Sequence, residues 1–157
     1  MKITKKLRDY LNKNNINYTM YYHNPINKTK ELAQNLDLQE KEFVQTCIIQ
    51  TEDGYAMIVI PIDRKVDLDL FKNASSKTKV KLANYNQIKT LFPDCEEGVI
   101  PPLGNLYKLP VYVSPAIKKC NEIVFQAGTH TDTIKMLCED FQKLVKPQIN
   151  KISTPIN

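Results

Sequence analysis

The sequence predicts a mixed α+β or α/β sandwich. Segments with helical spacing alternate with segments of β-favouring composition, without strict βαβ regularity. Two apolar runs, FVQTCIIQ and YAMIVIPI, flank the turn residues TEDG and read as a hairpin. Their near-continuous apolar character places them centrally in a sheet covered on both faces. A chain of 157 residues, 42% hydrophobic and 25% charged, is large enough to bury one core without staples.

The elements follow in order. Ile3, Leu7, Tyr10 and Leu11 recur at helical spacing and predict an amphipathic helix that ends in the Asn-rich NKNN. INYTMYYH alternates and reads as a strand as far as Asn24 and Pro25. Thr29 is placed to cap a short helix over KELAQNL. Beyond the hairpin, VDLDLFKNA suits a short helix and KVKLA a short strand. Asn84 is a candidate cap for the helix YNQIKTLF, which Pro93 ends. LPVYV, EIVFQA and TIKM read as strands. CEDFQKLV is a final helix, with acids in its first turn and a lysine near its end, as the helix dipole favours. KPQINKISTPIN has few apolar anchors, so residues 1–146 are expected to form a single domain and 147–157 a flexible tail or linker.

Composition excludes several classes. No run approaches the roughly 18 apolar residues of a membrane span. The basic start MKITKKLRDYLN lacks an apolar core and a small-residue cleavage site, so it does not read as a secretory signal. Cys47, Cys95, Cys120 and Cys138 are widely spaced, which fits reduced thiols in the cytoplasm better than a disulfide or metal cluster. The net charge is +5, and residues 1–41 hold eight Lys/Arg against four Asp/Glu. This bias is compatible with phosphate contacts to RNA, and equally with a solvated enzyme surface.

Few side chains invite catalysis. Cys47 sits in an apolar strand, where a thiol is usually an inert small hydrophobe. Cys95 lies between Asp94 and Glu96, whose charges oppose a thiolate. His23 and His130 fall in separate loop-like segments, and no ligand set at metal spacing accompanies them. Neither a P-loop nor a GxGxxG occurs. What stands out is LFPDCEEGVIPPLG, residues 91–104, which packs two of the four glycines, three prolines and three acids into fourteen positions. Prolines fix φ and remove donors, so the amides of Gly98, Val99 and Ile100 can be held rigidly. Such N–H groups stabilise negative charge developing on an ester carbonyl. A rigid turn between helix and strand explains the same residues, and the loop alone leaves both readings open. AGTHTDT, residues 127–133, is a second glycine loop at a strand junction.

Taken in order, YYHNP, FVQTCIIQTEDGYAMIVIPIDRKVDL, FPDCEEGVIPPLG and VFQAGTHTDTIKMLCEDFQKLV resemble the YbaK-type aminoacyl-tRNA deacylases, the fold also inserted as the editing domain of bacterial prolyl-tRNA synthetases. The resemblance runs from about residue 5 to 146. It implies a mixed β-sheet flanked by helices, with a cleft for the 3′ acceptor end of an aminoacyl-tRNA. The implied activity is hydrolysis, in trans, of the ester of mischarged tRNA, foremost tRNA for proline. It is implied to need no metal or other cofactor and no membrane, with an aminoacyl-tRNA synthetase as a further partner. Gly98, in the GxxxP motif running to Pro102, carries over as the residue whose backbone N–H groups position the aminoacyl carbonyl. The pocket would also draw on His23, Thr46, Val99, Ile100, Pro101, Pro102 and Gly104, with Gly128, Thr129 and His130 as its other wall.

Two positions depart from the family pattern. Gln45 stands where a lysine meets the terminal adenosine or its phosphate, and Ser114 where many relatives have an aspartate. A hydrogen bond to a charged group contributes about 1.5–3 kcal/mol, so losing it would cost roughly ten- to 150-fold in binding or rate. Lys41 is four strand positions from Gln45, roughly 13 Å, too far for direct replacement. The competing reading is a non-catalytic ligand-binding or regulatory module of the same fold; a cysteine-dependent enzyme is a third.

Overall fold

A computed structural model describes residues 3–26 and 28–156, the side chains of Ile3 and Thr4 excepted. Helix α1 (Ile3–Lys13) is followed by β1 (Tyr18–Tyr22), α2 (Thr29–Asn35), β2 (Val44–Thr51), β3 (Gly54–Pro61), β4 (Arg64–Val66), α3 (Leu68–Ser75), β5 (Lys81–Leu82) and α4 (Tyr85–Leu91). Then come β6 (Val111–Val113), β7 (Glu122–Gln126), β8 (Asp132–Leu137), α5 (Cys138–Val145), β9 (Gln148–Ile149) and β10 (Ser153–Pro155). Short 3₁₀ turns occupy Glu40–Glu42, Gly104–Tyr107 and Pro115–Lys119.

The main sheet is mixed, in the order β5-β2-β3-β6-β9. Its hairpin pairs Val44 with Pro61 through Thr51 with Gly54, and β3, β6 and β9 run parallel. A second, antiparallel sheet has the order β1-β8-β7. A parallel bridge between Phe43 and Val124 ties the two together at the start of β2. Strand β3 shows why the hairpin is apolar throughout. Met57 and Val59 enter one core with Leu7, Leu11, Phe92, Phe125 and Phe141. Ile58 and Ile60 enter another, with Phe71 of α3 and Tyr112. Both faces are covered, as the run of apolar residues requires. A third cluster of Leu32, Ala33, Phe43 and Val124 seats α2.

Local chemistry sets the helix ends. Leu7 and Leu11, one turn apart, are fully buried and fix the inner face of α1; the Ile3 side chain, part of the same predicted face, lies outside the described residues. Asp67 caps α3 by accepting from the Leu70 amide at 3.0 Å. Asn84 and Gln87 form a reciprocal capping box on α4, with both bonds at 2.8 Å. Thr29 does not cap α2: it is the first helical residue, and Lys28 holds the cap position without a side-chain bond.

The frayed tail expected over residues 147–157 is corrected for 148–155; Asn157 lies outside the described residues. β9 extends the main sheet beside β6, and β10 pairs antiparallel with β4. Ile152 is fully buried with Phe71 and Tyr112, and its carbonyl accepts from the Asp67 amide at 2.9 Å. One well-placed isoleucine and backbone pairing hold a segment whose composition shows almost no apolar signal.

Candidate functional site

Two loops make the site. α4 ends where Phe92 donates to the Ile88 carbonyl at 2.8 Å, and Pro93 prevents another turn. The chain then reverses at Gly98, whose φ of +80° favours glycine. Val99 and Ile100 bury their side chains in the core. The second loop joins β7 to β8, with Gly128 at φ +85°. The loops clasp each other: Gly128 donates to the Val99 carbonyl at 2.8 Å, and Glu96 donates to the Gly128 carbonyl at 2.8 Å. The His130 amide donates to the Glu96 carboxylate at 2.6 Å. Among the described residues, the N–H groups of Gly98, Val99 and Ile100 find no acceptor. A rigid loop with unused donors is the geometry of an anion or oxyanion cradle.

A cavity of about 300 Å³ lies between the start of α2, the start of β2 and these loops, lined among others by Thr29, Gln45, Thr46, Gly98, Gln126 and His130. A second, of about 580 Å³, lies between β2, β5, α4 and the 92–98 loop. Thr46, Gly98 and Ile100 belong to both walls, so Gly98 stands where the two cavities meet.

The structure thus brings Gln45, Thr46, Gly98, Val99, Ile100 and His130 together around the smaller cavity. Others stand apart. Pro101, Pro102 and Gly104 are buried and line neither cavity. A Cβ on Gly104 would lie 2.5 Å from Val111 Cγ2, so this glycine serves close packing, which corrects its reading as a substrate contact. Gly128 and Thr129 also line neither cavity. The Thr129 hydroxyl bonds the Asp132 carboxylate, and the pair shapes the loop from within. His23 likewise sits behind the wall. Its Nδ1 is 3.0 Å from the Asn24 carbonyl, which only accepts, so Nδ1 carries a proton; Nε2 is 2.7 Å from the Thr133 hydroxyl.

Gln45 is engaged rather than free. Its Nε2 donates to the Arg64 carbonyl at 2.9 Å and to the Pro61 carbonyl at 3.3 Å, pinning β2 to the turn between β3 and β4. The Arg64 side chain reaches β10, where Nε donates to Ser153 Oγ at 2.7 Å and Nη2 to the Ser153 carbonyl at 2.9 Å. Ser153 Oγ in turn donates to Ser114 Oγ at 3.4 Å, and Ser114 caps the following 3₁₀ turn by accepting from Ala116 at 3.2 Å. The two positions that depart from the family pattern, Gln45 and Ser114, are therefore connected through Arg64 and Ser153.

The thiols of Cys47 and Cys95 are held protonated. Burial pushes Cys47 up to about 11. Burial also raises Cys95, and the Asp94 charge adds to it against the hydrogen bond from Tyr107. Both line the larger cavity, where a thiol rather than a thiolate is a poor nucleophile. Among the described residues, no group of three His, Cys, Asp or Glu side chains is placed to hold a metal, and no helix is long and apolar enough to cross a membrane.

Sequence reasoning missed Thr29 and Gln126 at the smaller cavity and Tyr85 and Lys89 at the larger. Only the last pair left a signal, an exposed aromatic and a cation one turn apart on a capped helix.

With this geometry in hand, comparison with known proteins assigns the family. The profile described as the aminoacyl-tRNA editing domain matches residues 23–144. The prolyl-tRNA editing protein ProX of Acetoanaerobium sticklandii is 22% identical over 144 residues, covering 86% of this chain and 85% of that protein. Proline–tRNA ligase of Bacillus cytotoxicus is 22% identical over 88 residues; the match takes in 56% of this chain and only 15% of the ligase. A solved structure described as a candidate trans-editing enzyme for prolyl tRNA synthetase superimposes with a TM-score of 0.84 at 15% identity, covering 98% of both chains, and shows a shared fold. Since the family profile spans the hairpin and both clasped loops that follow it, this chain belongs to the aminoacyl-tRNA editing domain family.

Proposed function

We propose that this domain hydrolyses, in trans, the ester of a mischarged aminoacyl-tRNA, with tRNA for proline as its foremost substrate. The observation that carries the reading is the set of unused amides at Gly98, Val99 and Ile100, of which Gly98 and Ile100 belong to the walls of both cavities and Val99 to the smaller. An ester carbonyl oxygen set there accepts from these N–H groups. As water adds to the carbonyl carbon, charge grows on that oxygen and the donors stabilise it more than they do the ground state. The ester C–O bond then breaks, the ribose oxygen takes the proton, and free amino acid and tRNA leave. The ribose hydroxyl beside the ester, rather than a protein side chain, helps orient the water. The amino acid lies in the smaller cavity against Gln126 and His130, whose size and polarity choose among amino acids. The matches to a ProX protein and to part of a proline–tRNA ligase favour tRNA for proline, and a synthetase as partner. Four free cysteines favour a reducing compartment such as the cytoplasm.

One observation favours a second reading, a ligand-binding module without turnover: both Gln45 amide hydrogens go to backbone carbonyls, leaving none for substrate. Deacylation of tRNA for proline charged with alanine, cysteine or serine separates the two. The hydrolytic reading expects turnover by the wild type, with Gln45→Lys equal or faster because an ammonium can serve the same carbonyls and add charge. No turnover by the wild type, with a gain in Gln45→Lys, would establish the binding module instead.

A further inference from the structure

We infer that the smaller cavity selects for a side-chain hydroxyl, so that serine is removed in preference to alanine, and that Gln126 is the residue that selects it. The inference rests on the reading of the Gly98 amides as the ester site and names the side chain which that ester carries. It starts from an unpaired atom. Among the described residues, three buried side-chain atoms find no hydrogen-bond partner: Nε of Arg8, Oδ1 of Asn150 and Nε2 of Gln126. Of these residues only Gln126 lines either cavity, and it lines the smaller one. A buried donor without a partner destabilises a fold, and such groups are few in native proteins. A ligand that supplies the partner accounts for keeping one at the site.

The fold brings that amide to the ester. In β7 the side chains of Val124 and Gln126 share a face. Val124 is fully buried on it, with Leu32 and Ala33 of α2 and with Phe43. Gln126 follows at the end of the strand, where an apolar residue would have extended the same cluster. Two residues further on, the Gly128 N–H clasps the Val99 carbonyl. Gly98 and Gln126 line one cavity of about 300 Å³, so a short side chain on an ester held at Gly98 lies within reach of the amide. Chemistry then narrows the choice. A glutamine amide donates at one end and accepts at the other, and the torsion that carries it is soft. A hydroxyl both donates and accepts, so it satisfies either end. A methyl satisfies neither, and a thiol does so only weakly. A carboxylate would take the donor, but its charge is costly against Ile26, Phe43, Ile62 and Phe125, which also line the cavity. The other glutamine at the site, Gln45, already has its Nε2 on the Pro61 and Arg64 carbonyls, which leaves the role to Gln126.

The test uses two stable amide analogues of the ester, 3′-serylamino-3′-deoxyadenosine and its alanyl counterpart, with binding measured by calorimetry. Wild type should bind the seryl analogue roughly five- to 150-fold more tightly. Gln126→Met, close in size but without the amide, should bring the two affinities within about twofold. It should do so by weakening the seryl analogue while the alanyl one binds equally or more tightly, because no buried donor is left unpaired. A residue that only shaped the loop would instead weaken both alike. Gln126→Leu is the second variant and should behave in the same way, with thermal melts to show that each is folded. Equal affinities in the wild type, a preference kept by both variants, or a wild type that binds neither analogue overturns the inference. Because binding is read on amides rather than esters, the two readings fail separately. Turnover of seryl- and alanyl-tRNA for proline by a wild type without the seryl preference leaves the hydrolytic reading without selection by Gln126. A Gln126-dependent seryl preference without turnover leaves the selection in place without hydrolysis.

Discussion

Gly98→Ala tests the amide cradle most directly, because its effects on folding and on activity come apart. An added Cβ meets no atom within 4 Å, so the substitution brings no clash. The cost is conformational: at φ +80° an L-residue is strained by about 1–2 kcal/mol. If the loop holds its shape, that strain appears as lost stability, and at roughly 2–4 °C per kcal/mol for a domain of this size Tm falls by a few degrees. If the loop relaxes, φ turns negative and the neighbouring N–H groups rotate off the shared wall. Loss of one oxyanion donor costs about 100- to 1,000-fold in kcat. Gly104→Ala is the matched control. Its Cβ would overlap Val111 Cγ2 at 2.5 Å and approach the Leu109 carbonyl at 3.1 Å, an overpacking worth about 1–3 kcal/mol, yet it lies off both cavities. Deacylation kinetics and thermal melts of both variants should cross over, with Gly98→Ala stable but slow and Gly104→Ala less stable but, where folded, active. A Gly98→Ala protein with wild-type Tm, and so a relaxed loop, yet wild-type kcat in a system where wild type turns over would refute the cradle.

Two further outcomes follow from the fold. Ile152→Ala empties a fully buried site beneath β10, so urea unfolding should show a loss of about 2–5 kcal/mol; an unchanged midpoint would return residues 147–157 to the status of a loose tail. The Glu52 carboxylate accepts from the Thr78 amide at 2.9 Å, from the Thr78 hydroxyl at 2.9 Å and from the Lys79 amide at 3.3 Å. The backbone bond from Thr78 leads these causes, which bring Glu52 down from an ordinary 4.5 to about 2. A carboxylate lowered on folding contributes stability that is complete above 4.5 and fades as pH falls towards 2. Amide-exchange protection of Thr78 and Lys79 should therefore decline between pH 5 and pH 2. In Glu52→Gln it should be low throughout, and pH-independent protection in the wild type would exclude the bond.

What the sequence makes legible is local. The hairpin, the Asn84 cap and both glycine loops announce themselves within a few residues, because turn chemistry and binary pattern act at short range. Gly98 and Gly104 sit six positions apart in one proline-rich loop and look alike on paper. They differ only in what surrounds them, open space around one and Val111 against the other. The α2 cap falls one residue before Thr29, at Lys28, a shift common at helix ends. The tail is illegible for a deeper reason: β9 and β10 are two and three residues long and gain their stability from distant partners, which no window of sequence contains.

The same limit bears on function. Gln45 and Ser114 read in the sequence as two unrelated departures, the loss of a lysine and of an aspartate. In the fold they are the ends of one hydrogen-bonded chain, joined by Arg64 and by Ser153, which lies 89 residues from Arg64. A positive guanidinium stands between them, with its charge spent on a neutral serine rather than on a carboxylate. Restoring both ends is then expected to do more than restoring either one. Aspartate at position 114 would give Arg64 a counter-ion within reach, so a lysine at 45 that takes over the same carbonyls gains most when that counter-ion is present. Deacylation by Gln45→Lys, Ser114→Asp and the double variant tests whether the two positions act as a unit. Coupling through Arg64 predicts that the double variant exceeds the product of the single effects, and strict multiplicativity would show the two substitutions to be independent.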